Sequence, residues 1–533
     1  MSRQLTTQRR QPQNPSRASI RRPEPPAAKN RTQQFVEKLV ERNTVENELY
    51  YVITYLYGLA TSYCSLDDMF GYVSRSEFKN CGRLFRRIGE LATTWHLGFV
   101  NALEQVAKQV KSTLLKDFLE RFSQMLKAGE FHDKFLMMEH EAYATAFEAE
   151  YDRKLHGMEI LGNAYTAIIT SVTFVAIALT LTQALIGSSN GSNFGGVTTV
   201  LAVALVATLL LSVFVLYITA PIDKLVYLQN DLRIPKEFKT LKALLPISIA
   251  ICVAASILAA FLTASTDGST GWILLGMSVP LLPVGILAGR ADTAIKAREN
   301  AFPTFIRTLG TTAGLTSYST ARTLKLLLVR DFGVLTTPVR ALHSRLSIGV
   351  DSNLCWRNLA SECGSELIRI FGSIYEGTVS LGGDPSEIGS MISRNMIRKL
   401  VLRAKRIQVA NGIRAMVYPL HVIECALLAF MTTLLQFLIN MVNIGSQFNM
   451  IGIFKSSIEP SSVAPLFTAV MIVLAISNAL TIKISEVSNN YRLVYHLSLL
   501  LMLTGITIVG VATVVNVFFK NMFNLNWLQG VPS

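Results

Sequence analysis

Three groups of residues in this 533-residue chain have types and spacings that could do chemistry. The first is Gly382-Gly383-Asp384-Pro385. Glycines let a backbone approach phosphate closely, and a Gly-Gly-Asp triplet can sit on a nucleotide-handling loop. The same letters also spell a turn between two helices. Gly382-Gly383 suits a left-handed helix end, Asp384 can cap the next helix, Pro385 suits its first turn, and Glu387 completes a capping-box spacing. The flanks are helical, so the turn is the expected reading.

The second group is His421 and Glu424, three apart on one helical face inside an apolar run. Ionisable groups there are costly and point into a helix bundle. They could relay protons or make a polar contact. Both lie within about 15 Å of Arg414 along the helix, near one surface of the bilayer rather than its midplane. A polar contact, within the chain or with a passing subunit, is therefore expected.

The third group is basic. Arg394, Arg398 and Lys405 fall roughly on one face of an amphipathic helix, and Lys399, Arg403 and Arg406 on another. This stretch is a candidate docking surface for an acidic partner or for lipid headgroups. It could equally be a juxtamembrane anchor. Lys224, Lys236, Lys239 and Lys242 form a second candidate docking loop.

The usual signatures of catalysis are missing from the sequence. It has no G-x-x-x-x-G-K-[ST] phosphate loop, no H-E-x-x-H and no C-x-x-C. No Ser-His-Asp or paired-carboxylate constellation stands out. The cysteines, Cys64, Cys81, Cys252, Cys355, Cys363 and Cys425, are scattered. The chain is expected to be no enzyme and to need no metal or cofactor.

Composition supplies the elements that must position these groups. Half of the residues are hydrophobic and 16% are charged, where a soluble chain carries about 25% charged residues. Seven runs approach the roughly 20 apolar residues that a helix needs to cross a bilayer. They cover about 164–186, 197–219, 244–263, 272–288, 415–442, 464–482 and 497–519. The expected fold class is an all-α polytopic membrane protein with about seven transmembrane helices and two antiparallel helical bundles in the cytosol. The lysines and arginines of the 220–243 linker, set against linkers 187–196 and 264–271 without any, put the N-terminus in the cytoplasm. The expected location is the cell membrane, multi-pass, with both large polar regions inside.

The domain boundaries follow. Residues 1–33 read as a disordered basic tail. Residues 34–163 form the first helical domain, and 164–288 four spans around the basic loop 220–243. Residues 289–414 form the second helical domain, 415–519 three spans, and 520–533 a tail. The formal net charge of +14 concentrates in the polar regions. In 289–414, 18 Lys and Arg stand against 9 Asp and Glu. Nucleic acid is not an expected partner, since the basic excess also follows from topology. Pro280 and Pro283 should bend the fourth span. Gly285 and Gly289 form a G-x-x-x-G that allows close helix approach, either within the chain or across a homodimer.

An internal repeat is the most informative feature. Residues Leu114–Phe122 align with Leu367–Tyr375 at an offset of 253, with apolar and basic positions mostly coincident. Gly129 then falls on Gly382, Leu56 on Leu309 and Ala60 on Ala313. Each copy is followed by membrane spans.

Two helical copies, each leading into the membrane, resemble the platform proteins of archaeal type IV filaments, the archaellum and adhesive pili, within the type II secretion F-domain family. The corners Leu114–Gly129 and Leu367–Gly383 carry the resemblance, together with the stretch Ala301–Thr320 that opens the second copy. The resemblance implies small antiparallel bundles that dock on a hexameric cytosolic secretion ATPase. It also implies that ATP-driven movement passes through the platform to lift pilin-like or archaellin subunits out of the membrane. The chain would be the transducer and not the motor. The alternative class is a secondary transporter with helical regulatory domains, which would place its repeats and ionisable groups within the membrane. A membrane sensor enzyme would need nucleotide glycines and a phosphoacceptor box, and neither is visible.

Overall fold

The computed structural model describes residues 31–523 except 63, 77, 187–193, 230–231, 233, 264–267, 317–318 and 448–459. The basic tail expected over 1–33 and the C-terminal tail lie almost wholly outside the described residues.

Among the described residues the regular elements are helices, apart from an isolated bridge between Val226 and Ser365. A first group comprises α1 (Arg31–Ala60), α2 (Leu66–Arg75), α3 (Lys79–Gly89), α4 (Gly98–Ala107), α5 (Thr113–Ala128) and α6 (His132–Ile186). Then come α7 (Phe194–Thr219), α8 (Lys236–Leu262), α9 (Ser269–Ser278) and α10 (Leu282–Thr316). The second group continues from α10 through α11 (Thr320–Leu327), α12 (Thr336–Ser347), α13 (Ser352–Cys363), α14 (Glu366–Val379) and α15 (Pro385–Gln447). Two apolar helices close the chain, α16 (Pro460–Ser485) and α17 (Arg492–Phe523). Seven helical stretches are long and apolar enough to cross a membrane, and they carry the seven runs read from the sequence. The protein is an all-α polytopic membrane protein. The fourth span is broken where Pro280 was expected to bend it: a 3-10 turn, Val279–Leu281, separates α9 from α10.

The two helical groups are built alike, and their register is 253 residues. Helices α5 and α14 begin at Thr113 and Glu366, after serine N-caps at Ser112 and Ser365. Each serine hydroxyl accepts from the amide three residues on, Leu115 or Ile368, which satisfies a donor left over at the helix start. Both helices also end the same way. The amides of Gly129 and Glu130 reach the carbonyls of Leu126 and Met125, and those of Gly382 and Gly383 reach Val379 and Thr378. This is a Schellman closure, which needs a left-handed residue; φ is 69° at Gly129 and 89° at Gly382. Asp384 caps α15 by accepting from the Ser386 amide at 3.0 Å. The Gly-Gly-Asp stretch is thus a helix corner. One detail differs from expectation: Glu387 does not close a capping box but accepts from the Tyr57 hydroxyl of the first group at 2.7 Å.

Equivalent positions are buried in both copies. Leu56 and Leu309, Phe118 and Phe371, and Phe122 and Tyr375 are all essentially solvent-free. The copies pack side by side along α6 and α15. Asp152 pairs with Lys405 at 2.6 Å, Arg398 with Glu141, and the Asn395 amide donates to His140 Nε2 at 2.7 Å. Gly162 faces the Ile413 side chain. These contacts keep nearly the same offset, so the two long helices run parallel. Each continues without a break from its bundle into an apolar span. At 1.5 Å per residue, the 55 residues of α6 and the 63 of α15 make rods of about 80 Å and 95 Å.

Candidate functional site

The basic face of α15 sits at the point where both bundles, the linker before α8 and the end of α16 converge. Arg403 is its centre. Its guanidinium donates twice to Asp223, Nε to Oδ2 and Nη2 to Oδ1, both at 2.8 Å. Nη1 donates to both Glu299 oxygens at 2.8 and 2.7 Å, and Nη2 also reaches the Lys224 carbonyl at 2.7 Å. Glu299 in turn accepts from the Ser365 hydroxyl at 2.6 Å. Burial opposes ionisation of Asp223, but the Arg403 guanidinium outweighs it and holds the carboxyl below its usual range. One turn earlier Lys399 donates to Asn47 Oδ1 at 2.8 Å and lies over the rings of Phe147, Tyr50 and Tyr51. One turn later Arg406 donates to the carbonyls of Ser485, Pro221 and Ile484.

This geometry corrects the docking surface expected from the sequence. Lys399, Arg403 and Arg406 are each 4% exposed, so they present no outward charge. Arg398 and Lys405 hold acids of α6. Of the six, Arg394 and Lys405 are exposed, and Lys405 is the one of these two that is paired with an acid, Asp152. Lys224, Lys236, Lys239 and Lys242 are exposed as expected, but the last three occupy the opening turns of α8, immediately before its apolar run, and so lie at the membrane boundary.

A matching but weaker junction exists in the first copy. Glu46, the equivalent of Glu299, lies 3.4 Å from the hydroxyl of Ser112, the equivalent of Ser365. Its charge partner is Lys154 at 3.5 Å, on α6. Both glutamates and both serines are buried. This signal was present in the sequence, since both pairs repeat at the offset of 253, yet a glutamate or serine by itself draws no attention there. The linker adds the last tie: the Tyr227 amide donates to the Gly364 carbonyl at 3.0 Å and the Glu366 amide to the Leu225 carbonyl at 3.2 Å.

His421 and Glu424 are buried within the span bundle. The Tyr165 hydroxyl donates to Asn478 Oδ1 at 2.6 Å, and the Asn478 amide donates to His421 Nδ1 at 3.1 Å. Nδ1 is therefore the acceptor, and Nε2 carries the proton that it donates to Thr504 Oγ1 at 2.9 Å. One polar chain thus joins α6, α16, α15 and α17. Glu424 lies beside it, close to α6. His421 makes a polar contact inside the chain, whereas both buried carboxyl oxygens of Glu424 are without a hydrogen-bond partner among the described residues.

Gly285 and Gly289 pack within the chain. A methyl group at Gly285 would stand 2.6 Å from the Tyr495 Cα, and one at Gly289 would strike the Arg492 guanidinium. That seam is filled by α17, so it is no homodimer face.

Large apolar side chains are exposed on the bundles, away from the spans. Trp95 is 72% exposed and Ile348, its equivalent at the offset of 253, is 78% exposed. Each precedes a helix, α4 or α13, at the bundle end opposite the membrane. Phe131, 77% exposed, sits at the Gly129 corner, about 50 Å along the helix from the span of α6. The backbone near Trp95 is irregular. A π-helical turn covers Glu90–Thr94, and His96 has a φ of 53°, which a non-glycine residue seldom adopts.

Two helical bundles fused to seven apolar helices define a polytopic membrane protein with a duplicated body outside its spans. The chain is similar to proteins called Flagella accessory protein J. It is 26% identical over 387 residues to that of Methanocaldococcus jannaschii, covering 71% of this chain and 68% of the relative. It is 25% identical over 358 residues to that of Methanococcus voltae, covering 65% of this chain and 62% of the relative. No family model matches the chain. No solved structure matches it.

Proposed function

We propose that this chain is the membrane platform of an archaellum or related archaeal type IV filament machine. In this reading it couples a hexameric cytosolic secretion ATPase to the insertion of pilin-like or archaellin subunits. The observation that carries the reading is the likeness to two proteins named as flagella accessory proteins, over about two thirds of each chain. The architecture fits it. Two bundles in parallel register feed two unbroken helical rods, so a push at the bundle ends travels into the spans without crossing a flexible linker. The Arg403 junction ties both bundles to the linker before α8, which favours movement as one body.

The ATPase contact belongs at the bundle ends and not on the basic face of α15. Trp95 and Ile348 occupy equivalent exposed positions there, and large apolar groups at the centre of an interface carry most of its binding energy. The exposed lysines at the start of α8 then serve as headgroup anchors.

Deletion of the coding sequence from its host tests the reading. Filaments should vanish while the subunits accumulate unassembled in the membrane. Normal filaments in the deletion strain would overturn it.

A further inference from the structure

A cavity of about 790 Å³ opens where four spans end on the bundle side. Its walls come from the end of α7, the linker before α8, the end of α16 and the loop into α17. Tyr217, Leu228 and Tyr491 give it an apolar side, and Lys224, Arg406 and Lys483 a cationic one. The charge arrangement is unusual. The two acids on its wall already have charge partners: Asp223 has Arg403, and Glu486 has Arg414 at 2.9 Å, with His496 at 3.3 Å. The hydrogen bonds of the cations end on neutral groups, although Asp292 and Glu486 act electrostatically on Lys483, and Arg406 on Asp223. Arg406 donates to three backbone carbonyls, and Lys483 donates to the Ser488 carbonyl and hydroxyl at 2.7 and 3.0 Å. Those partners are neutral. Arg406 has five N–H donors, of which these bonds use three. With three cations against two acids on its wall, the cavity keeps a positive balance, and a low-dielectric wall strengthens its field.

We propose that this cavity binds one anionic phospholipid, with its phosphate among Lys224, Arg406 and Lys483 and its upper chain along the apolar side. The level is right, because the helix ends around it mark the headgroup zone on the bundle side of the bilayer. The shape is right, because an amphipathic cavity open on one side suits a ligand that is polar at one end. The tyrosines agree, since Tyr is enriched at membrane interfaces. An occupant would touch Leu225 and Val226 as well as Pro221. It would thereby brace the linker that Arg403 and Arg406 hold and that pairs with Gly364 and Glu366 of the second bundle. This proposal does not depend on the platform reading.

The test uses the full chain, purified in detergent and stripped of lipid. Native mass spectrometry and thermal unfolding are followed during titration with phosphatidylglycerol or with phosphatidylcholine. Phosphatidylglycerol should bind at one saturable site and raise the unfolding temperature, and phosphatidylcholine should do neither at the same concentration. The variants Lys224→Gln and Lys483→Gln, singly and together, should weaken phosphatidylglycerol binding by at least about tenfold, the usual loss when a charge-assisted contact is removed. Lys224 is exposed, so its variant reads binding even if Lys483→Gln perturbs folding. Equal binding of the two lipids would overturn the proposal, and so would an unchanged affinity in the Lys224→Gln variant. Displacement of the lipid by millimolar inorganic phosphate would identify a site for soluble anions and overturn it as well.

Discussion

Arg403 and Glu299 meet at 2.7 Å, on helices more than a hundred residues apart in the chain, with side chains only 5% and 1% exposed. This contact ties the helix that enters the fifth span to the helix that leaves the fourth. A buried pair of this kind adds little net stability over an apolar pair of the same shape. Removing one partner, however, strands the other charge and typically costs 3–5 kcal/mol. Arg403→Ala should therefore lower stability by about 3–5 kcal/mol, with Glu299→Ala close behind. The double variant should lose much less than the sum of the two. Chemical unfolding in detergent, arranged as a double-mutant cycle, measures this. Additive losses would show that the two side chains do not act as a pair.

His140 predicts how stability responds to acid. It lies on α6 well ahead of the apolar run. Burial is the main influence and pushes the imidazole from 6.5 down to about 4. Neutral Nε2 accepts from Asn395. Between pH 6.5 and 4 the unfolded chain binds a proton that the folded chain excludes, so stability falls as pH drops through this window and is unaffected above it. The full loss from this residue is about 3 kcal/mol. Other groups titrate in the same range, so the comparison with His140→Gln isolates the effect. The variant should show a shallower decline over this window, and parallel curves would show that His140 does not set the response.

Glycines in two settings separate seam from surface. At Gly285 an added methyl meets the backbone of α17, so Gly285→Ala should cost about 1–3 kcal/mol through overpacking. At Gly412 a methyl meets nothing within 4 Å. Gly412→Ala should be neutral or should stabilise by up to about 1 kcal/mol through helix propensity. Thermal unfolding of both variants checks the contrast. The same response at both positions would contradict the packing of α10 on α17.

How much of this was legible beforehand depends on how local each signal is. The spans are contiguous apolar text, so all seven could be read. The helix corners at Gly129 and Gly382 were legible because left-handed backbone at a helix end leaves its mark as glycine. The repeat offset came from those same letters, and in the structure it reaches further than the sequence suggested, to Glu46 and Glu299 and to α2 and α11. The basic face of α15 was misread because charge periodicity shows which residues share a face but not what faces them. Asp223, Glu299 and the rings of Tyr50 and Phe147 arrive from distant parts of the chain. The Gly285–Gly289 seam stayed open between two partners for the same reason. Trp95 and Ile348 gave no sequence signal, because an exposed apolar residue at a helix end looks like a buried one.

We propose that force enters the molecule at the bundle ends bearing Trp95 and Ile348. Co-purification of the cognate secretion ATPase with tagged full-length protein from host membranes tests this most directly, using wild type, Trp95→Ser/Ile348→Ser and Arg394→Glu. The ATPase should follow the wild type and Arg394→Glu, and recovery with the double variant should drop at least about tenfold, as loss of an interface anchor implies, while its unfolding temperature stays unchanged. Equal recovery with the double variant, or an ATPase lost only with Arg394→Glu, would contradict it.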